Sequence, residues 1–334
     1  MSITTKDIAQ ICGVSRTTVH RALNGAGRIS PDTKEMILRV AKEEGYRPDL
    51  LARGLVKGRT YSIGIVVLDV SNRYFSQMVS AIVEEAENHS YSANIMLHKQ
   101  EQNREREQLA RLADLHVDGI VLSSVNEGNE YKKYLESLEI PIVTIDNRIA
   151  DGIPFVGIDQ AAAMRESTER AVMAGYKEIV FVCPPLCEKN GNVYVHKKRK
   201  SGYEEIMKLH PECKMEYLLD WNYLQKADEI VKKSQKPVFL CTADEFALEI
   251  MKAQKKFGRC AGVEYGIAGF DNIDTLDYVT PRLTTISNAV NEVALQAVNL
   301  LFQLIEIKSS GKELPNDVRT NLLLPHHYEL GETI

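Results

Sequence analysis

The chain has 334 residues, 44% hydrophobic and 26% charged, with a formal net charge of −5 at pH 7. That length exceeds one compact core and suits two or three domains. No apolar run reaches the roughly eighteen residues of a membrane span, and the polar start carries no signal-peptide pattern, so a soluble cytoplasmic protein is expected.

The six cysteines (Cys12, Cys183, Cys187, Cys213, Cys241, Cys260) form no C-x-x-C pair and no zinc spacing, so reduced thiols are expected, with no metal and no cofactor. Charge is unevenly distributed. Residues 1–60 hold eleven Lys/Arg against six Asp/Glu, a surplus of five positive charges on a chain whose total is negative. A basic head on an acidic body can bind a polyanion through the head alone.

The run Asp7-Ile8-Ala9-Gln10-Ile11-Cys12-Gly13-Val14-Ser15-Arg16-Thr17-Thr18-Val19-His20-Arg21-Ala22-Leu23-Asn24 reads as a helix-turn-helix. Thr5 is expected to cap the first helix and Ser15 the second, with Gly13 reversing the chain between them. Val19, Ala22 and Leu23 recur at a spacing of three and four and turn inward, which leaves Arg16, Thr17, His20 and Arg21 outward. A loop at Gly25 and Gly27 follows, then Ser30-Pro31-Asp32 begins a third helix whose Met36, Ile37, Val40 and Ala41 pack on the first two. Gly45 ends it. Residues 49–58 have helical character but are too short to repay nucleation alone.

Asp7 to Asn24 resemble the DNA-binding headpiece of the LacI/GalR family of bacterial repressors, with His20 where that family usually has Ser. The resemblance implies that Arg16 and Thr17 read base edges, that Arg21 also contacts DNA, and that His20 stands where a serine touches phosphate. Thr5, Ser15, Thr18, Asn24 and Tyr46 are assigned to phosphate contact or local capping, capping alone being the plainer role for Ser15 and Asn24. Residues 49–60 match the hinge helix, which folds when two subunits pair on DNA. Leu55 takes the wedge position in the minor groove and Ala52 the close helix contact, while a plain linker is the alternative.

From Tyr61 the pattern changes to buried strands alternating with amphipathic helices. Residues 63–68, 94–97, 119–122, 142–145, 179–182, 238–240 and 266–270 read as parallel strands, with helical stretches such as 77–88, 104–116 and 161–174 between them. The fold class expected is α/β: a small all-α headpiece (residues 1–48) and hinge (49–60), then a doubly wound effector-binding and dimerisation region (61–334). Two subdomains are expected, one of about 61–159 and 288–317, the other of about 160–287 and 318–330. Val117-Asp118-Gly119-Ile120-Val121 and Leu283-Thr284-Thr285-Ile286 extend the resemblance to the family's periplasmic-binding-protein-like region.

By position in the family's motifs, Asp69, Asn72, Arg73, Tyr74, Phe75, Ser123, Asp146, Arg199, Trp221, Asp244 and Asp271 are expected around a ligand cleft. Planar polar groups there would take paired hydroxyls and an aromatic face the C–H side of a sugar ring. Arg199-x-x-Gly202-Tyr203 and Gly269-Phe270-Asp271 match family elements, and Trp221 is either a stacking residue or a packing one. Departures include Arg73-Tyr74-Phe75 for Pro-Phe-Phe, Thr242-Ala243-Asp244 for A-N-D, and Asn147-Arg148 after Asp146. Together these departures point to a ligand more anionic, or otherwise less usual, than a plain hexose, with Arg73 placing a cation near the cleft; otherwise Arg73 faces solvent.

No P-loop, G-x-S-x-G or H-E-x-x-H occurs, so no enzyme is expected. The resemblance implies a homodimeric repressor that binds a double-stranded operator under the control of a sugar or sugar derivative. A sugar sensor without a DNA role, and control by a corepressor or a phosphocarrier protein, are the alternatives. No heptad repeat follows Leu330, which favours a dimer over a coiled-coil tetramer.

Overall fold

A computed structural model describes residues 3–24, 27–46, 58–187, 191–312, 315 and 318–334, without the side chains of Asn24 and Cys187. The chain divides into two units, residues 1–60 and 61–334. The expected hinge positions Ala52 and Leu55 lie outside the described residues.

In the first unit, α1 (Thr5–Ile11), α2 (Arg16–Asn24) and α3 (Pro31–Glu43) surround Ile8, Ala9, Val19, Ala22, Ile37 and Ala41. Thr4, not Thr5, caps α1. Asp7 stands three residues beyond Thr4 and its carboxylate takes the Thr4 backbone N–H at 2.8 Å, closing a reciprocal capping box that Thr5 has no partner to form. Gly13, at φ +64°, makes the reversal, and Ser15 Oγ accepts from Thr18 N at 3.1 Å to cap α2. Ser30 caps α3, with Pro31 in its first turn.

The second unit holds two parallel sheets. The first has six strands in the order β2 (Ser92–Leu97), β1 (Ser62–Val67), β3 (Gly119–Ser123), β4 (Ile142–Ile145), β5 (Phe155–Ile158), β11 (Asn321–Leu324). The second has four, in the order β7 (Lys214–Leu218), β6 (Glu178–Val182), β8 (Val238–Cys241), β9 (Gly266–Ala268). β10 (Thr285–Ser287) pairs antiparallel with β12 (His327–Glu329). The central strands are buried along their whole length, which is why they read as unbroken apolar runs rather than alternating ones.

The helices are α4 (Arg73–Asn88), α5 (Gln102–Asp114), α6 (Asn129–Ser137), α7 (Gln160–Met173), α8 (Tyr194–Leu209), α9 (Tyr223–Lys233), α10 (Asp244–Lys255) and α11 (Val290–Ser310). α11 is long and apolar, yet Val293, Ala294, Ala297, Val298, Leu300, Leu301 and Ile305 are buried in the protein's own core. Gly202 lets α8 lie against α7: a Cβ there would stand 2.2 Å from the Ala161 carbonyl oxygen.

The chain passes between the sheets after β5, after β10 and after β11. The segment 318–330, expected wholly in the second subdomain, is therefore split. Residues 321–324 pair in parallel with 155–158 of the first sheet, and only β12 joins β10. An edge strand at β5 would otherwise leave its N–H and C=O groups unpaired, and β11 covers them.

Candidate functional site

The carboxyl ends of both parallel sheets face one cavity of about 340 Å³. Its wall includes Ser123 at the end of β3, Asp146 after β4, Thr242 after β8 and Asp271 after β9. Ligands of open α/β sheets bind at such strand ends.

Asn72, Tyr74, Phe75, Ser123, Asp146, Arg199, Trp221 and Asp271 line this cavity, whereas Asp69, Arg73 and Asp244 do not. Asp69 is engaged by Lys99 and by the Ser71 N–H at 2.9 Å, which hold its carboxyl down at about 2. Arg73 Nε donates to Asp274 Oδ1 at 2.6 Å and the guanidinium pairs with the same carboxylate, so its charge is met outside the cavity. The inference of an anionic ligand loses its cation. Asp244 is fully buried, accepting from Thr285 Oγ1 at 2.5 Å and from Ile273 N at 2.9 Å. Burial pushes its carboxyl up to about 6. Gly269 makes this approach possible, since a Cβ there would lie 2.0 Å from Asp244 Oδ1.

Arg199 is 4% exposed. Its Nε donates to Gln160 Oε1 at 2.8 Å, its Nη1 to the Thr242 carbonyl at 2.5 Å, and its Nη2 stands 3.9 Å from Asp271 Oδ1. The guanidinium carbon lies 3.5 Å from the Phe270 ring centroid. Asn288 ties the set together, joining Gln160 at 3.3 Å and Asp271 at 2.7 Å. Burial lowers the affinity of Arg199 for its proton. It also raises the Asp271 carboxyl well above the carboxylate range, against the pull of Arg199 and with help from Asp244 and Asp146.

Asp146 and Asp271 occupy the left-handed region, at φ 58° and 121°. Asp146 accepts from the Tyr74 hydroxyl, and burial raises its carboxyl. Asn147 joins the two halves of the unit: its Nδ2 donates to the carbonyls of Ser124 (3.2 Å) and Asn192 (3.0 Å), and its Oδ1 accepts from Val195 N at 3.1 Å. Asn192 answers with bonds to the carbonyls of Asn126 (3.2 Å) and Arg148 (2.7 Å).

Several lining residues were not singled out in the sequence. His98 accepts from Gln100 N through Nδ1 at 3.1 Å, so its Nε2 carries the proton toward the Ser123 carbonyl at 3.0 Å. His196 Nδ1 and Thr242 Oγ1 are buried without a hydrogen-bond partner among the described residues. Burial and the neighbouring Arg199 push the His196 imidazole down to about 3, so it is neutral. Glu245, Phe246 and Glu249, on α10, complete the mouth with Trp221, which is 56% exposed. The Trp221 and Phe246 rings meet edge to face at 6.3 Å, so Trp221 serves packing and cavity wall together.

In the first unit, Arg16, Thr17, His20 and Arg21 are exposed on α2, and Arg16 Nε donates to Thr5 Oγ1 at 3.2 Å. Ser15 Oγ and Thr18 Oγ1 share a bond of 2.8 Å at the start of α2. Tyr46 packs on the headpiece core, with its N–H on the Ala41 carbonyl at 2.8 Å.

A helix-turn-helix followed by a two-sheet clamp with a polar cavity defines a DNA-binding regulator that responds to a small molecule. The sequence pattern described as "Periplasmic binding proteins and sugar binding domain of LacI family" matches residues 60–328, and "Bacterial regulatory proteins, lacI family" matches residues 4–49. The chain belongs to the LacI family, a family of transcriptional regulators and not of enzymes. Catabolite control protein A of Priestia megaterium is 27% identical over 95% of this chain and 98% of its own. The ribose operon repressor of Halalkalibacterium halodurans is 28% identical over 91% of each. The fold is that of the lac repressor dimer bound to operator and the anti-inducer ONPF, with a TM-score of 0.85 and 22% identity over 100% of this chain and 99% of that one.

Proposed function

We propose that this regulator is a cytoplasmic homodimeric repressor whose grip on a two-fold operator is set by a sugar-like effector in the cavity of its second unit. The observation that carries the reading is that cavity, where strand ends of both sheets converge on buried polar atoms that lack partners among the described residues. Such atoms cost free energy unless a ligand or water meets them. Asp146, Arg199 and Asp271 take hydroxyls, and Trp221 and Phe75 give the apolar faces. Arg16, Thr17 and Arg21 read bases, while His20 and the α2 start touch phosphate. Ala52 and Leu55 act at the paired hinge, and ligand-linked motion of the two sheets shifts the population of the DNA-binding form. A relative named for ribose and similar structures holding ribose or cellobiose support a sugar-like effector.

The test is selection of sites from randomised duplexes by the full chain. A two-fold-symmetric sequence is expected, bound with steep salt dependence and released or tightened by a sugar. Arg16→Ala should relax the preference at one base pair per half-site. Affinity that ignores salt and sequence in both proteins would overturn the assignment.

A further inference from the structure

Few charged side chains line the cavity. Arg199 is the one Lys or Arg among the described lining residues, and it is already engaged by Gln160, Thr242 and Asp271. Against it stand the carboxylates of Glu245 and Glu249, while burial raises the carboxyls of Asp146 and Asp271 and disfavours their charged forms. The two glutamates are four residues apart on α10, so they share a face and repel each other. Glu245 accepts from Asn72 Nδ2 at 3.4 Å and Glu249 from the Tyr223 hydroxyl, both neutral donors. Among the described residues neither glutamate forms an ion pair. Trp221 and Phe246 line the same cavity, their rings edge to face with each other. Carboxylates next to aromatic rings form a seat for an ammonium group, which gains from both the charge and the ring quadrupole. The same carboxylates repel a carboxylate or phosphate ester. In the same wall, Thr242 Oγ1 and His196 Nδ1 are buried with no hydrogen-bond partner among the described residues.

Building on the sugar-like effector proposed above, we infer that this effector is a polyhydroxylated molecule bearing a protonated amine. Its ammonium group sits between Glu245 and Glu249 against Trp221 and Phe246, and its hydroxyls reach Thr242 and His196. Arg73 and Lys252 line the adjoining recess with Glu245 and Glu249, and the Arg73 charge is met by Asp274.

The experiment is a thermal-shift screen of the full chain against matched triplets at about 20 mM: D-glucose, D-glucosamine and D-glucuronate; D-galactose, D-galactosamine and D-galacturonate; sorbitol, 1-amino-1-deoxysorbitol and gluconate. The amine member of at least one triplet should raise Tm most. In calorimetric titration, Glu245→Gln and Glu249→Gln should each weaken that member about three- to tenfold and leave its neutral counterpart unchanged. A largest shift from a neutral or acidic member, or an amine preference that survives the double substitution, overturns the inference and leaves the sugar-like effector standing. No shift from any member removes the sugar-like effector and the inference with it.

Discussion

Replacing Arg199 by Met tests whether this side chain is only a ligand contact or also a tie within the fold. Met keeps much of the volume and removes the charge and the donors. Gln160 Oε1 and the Thr242 carbonyl then lose bonds of 2.8 and 2.5 Å in a site where Arg199 itself is 4% exposed. Each acceptor left unsatisfied costs about 1–3 kcal/mol. The loss of the Asp271 partner adds less than the usual cost of breaking a buried pair. The two groups stand 3.9 Å apart, and burial already holds that carboxyl far above its ordinary range, so protonation relieves it. A total loss of about 3 kcal/mol is expected. Urea unfolding followed by circular dichroism measures it, with Asp271→Asn and the double variant completing a cycle. Asn tolerates the positive φ at 271 and can still accept from Asn288. The double variant should lose less than the sum of the two single losses. A loss below about 1 kcal/mol for Arg199→Met would refute the argument that the guanidinium holds the strand ends together.

Three further outcomes follow from packing and titration. His196 takes a proton near pH 6.5 when unfolded and only near 3 when folded, so its share of stability is intact above 6.5 and lost as pH falls toward 3. Asp244, raised to about 6, acts in the opposite sense between about 4 and 6, so the comparison must be between proteins. His196→Gln should gain about 3 kcal/mol on wild type between pH 6.5 and 4 by chemical unfolding, and parallel curves would dismiss the buried neutral imidazole. Glu105 is fully buried and accepts from Ser124 Oγ (2.7 Å), Val125 N (2.7 Å), Asn126 Nδ2 (3.0 Å) and Tyr131 OH (2.5 Å). Glu105→Gln sets an amide donor against these donors and should lower stability by about 2 kcal/mol, read as the shift in the urea midpoint at constant slope. Gly202→Ala drives a Cβ to 2.2 Å from the Ala161 carbonyl oxygen, so α7 and α8 must separate. Its expected Tm falls by several degrees, whereas an unchanged Tm would show that the helices yield freely.

The elements were legible because burial imposes period. Val19, Ala22 and Leu23 mark the inner side of α2, and runs such as Gly119–Ser123 mark strands covered on both faces. Local partners were legible too, as the Ser15 and Ser30 caps show. Partners distant in sequence were not. Asp69, Arg73 and Asp244 carry the right chemistry for a cleft. Lys99, Asp274 and Thr285 occupy them instead, and no local pattern in a single sequence announces those pairings. The same limit hid β11, whose place beside β5 is fixed by a backbone ladder formed across some 160 residues. His196, Thr242 and Glu249 were missed for a related reason: a lone polar residue in a helix or at a strand end looks the same whether it faces solvent or a cavity. Only Glu245 and Glu249 leave a trace, as like charges at a spacing that a helix brings together.

The backbone at Asp146 and Asp271 explains how a polar cavity survives at the junction of two apolar sheets. Both residues follow buried strands and adopt positive φ, at 58° and 121°, which non-glycine residues avoid. That turn carries each carboxylate away from the sheet core and into the cavity wall, where Tyr74 meets one and Asn288 the other. Burial raises both carboxyls, so the arrangement is unfavourable to the charged forms on its own; the hydroxyls of Tyr74 and Ser123 and then the Arg199 guanidinium oppose it at Asp146, and Arg199 opposes it at Asp271. A fold stabilised only by packing would gain from apolar residues at these ends. Their retention here follows if a bound molecule with donors of its own recovers what burial withholds. Asn147 and Asn192 then keep the two halves of the clamp in register around it.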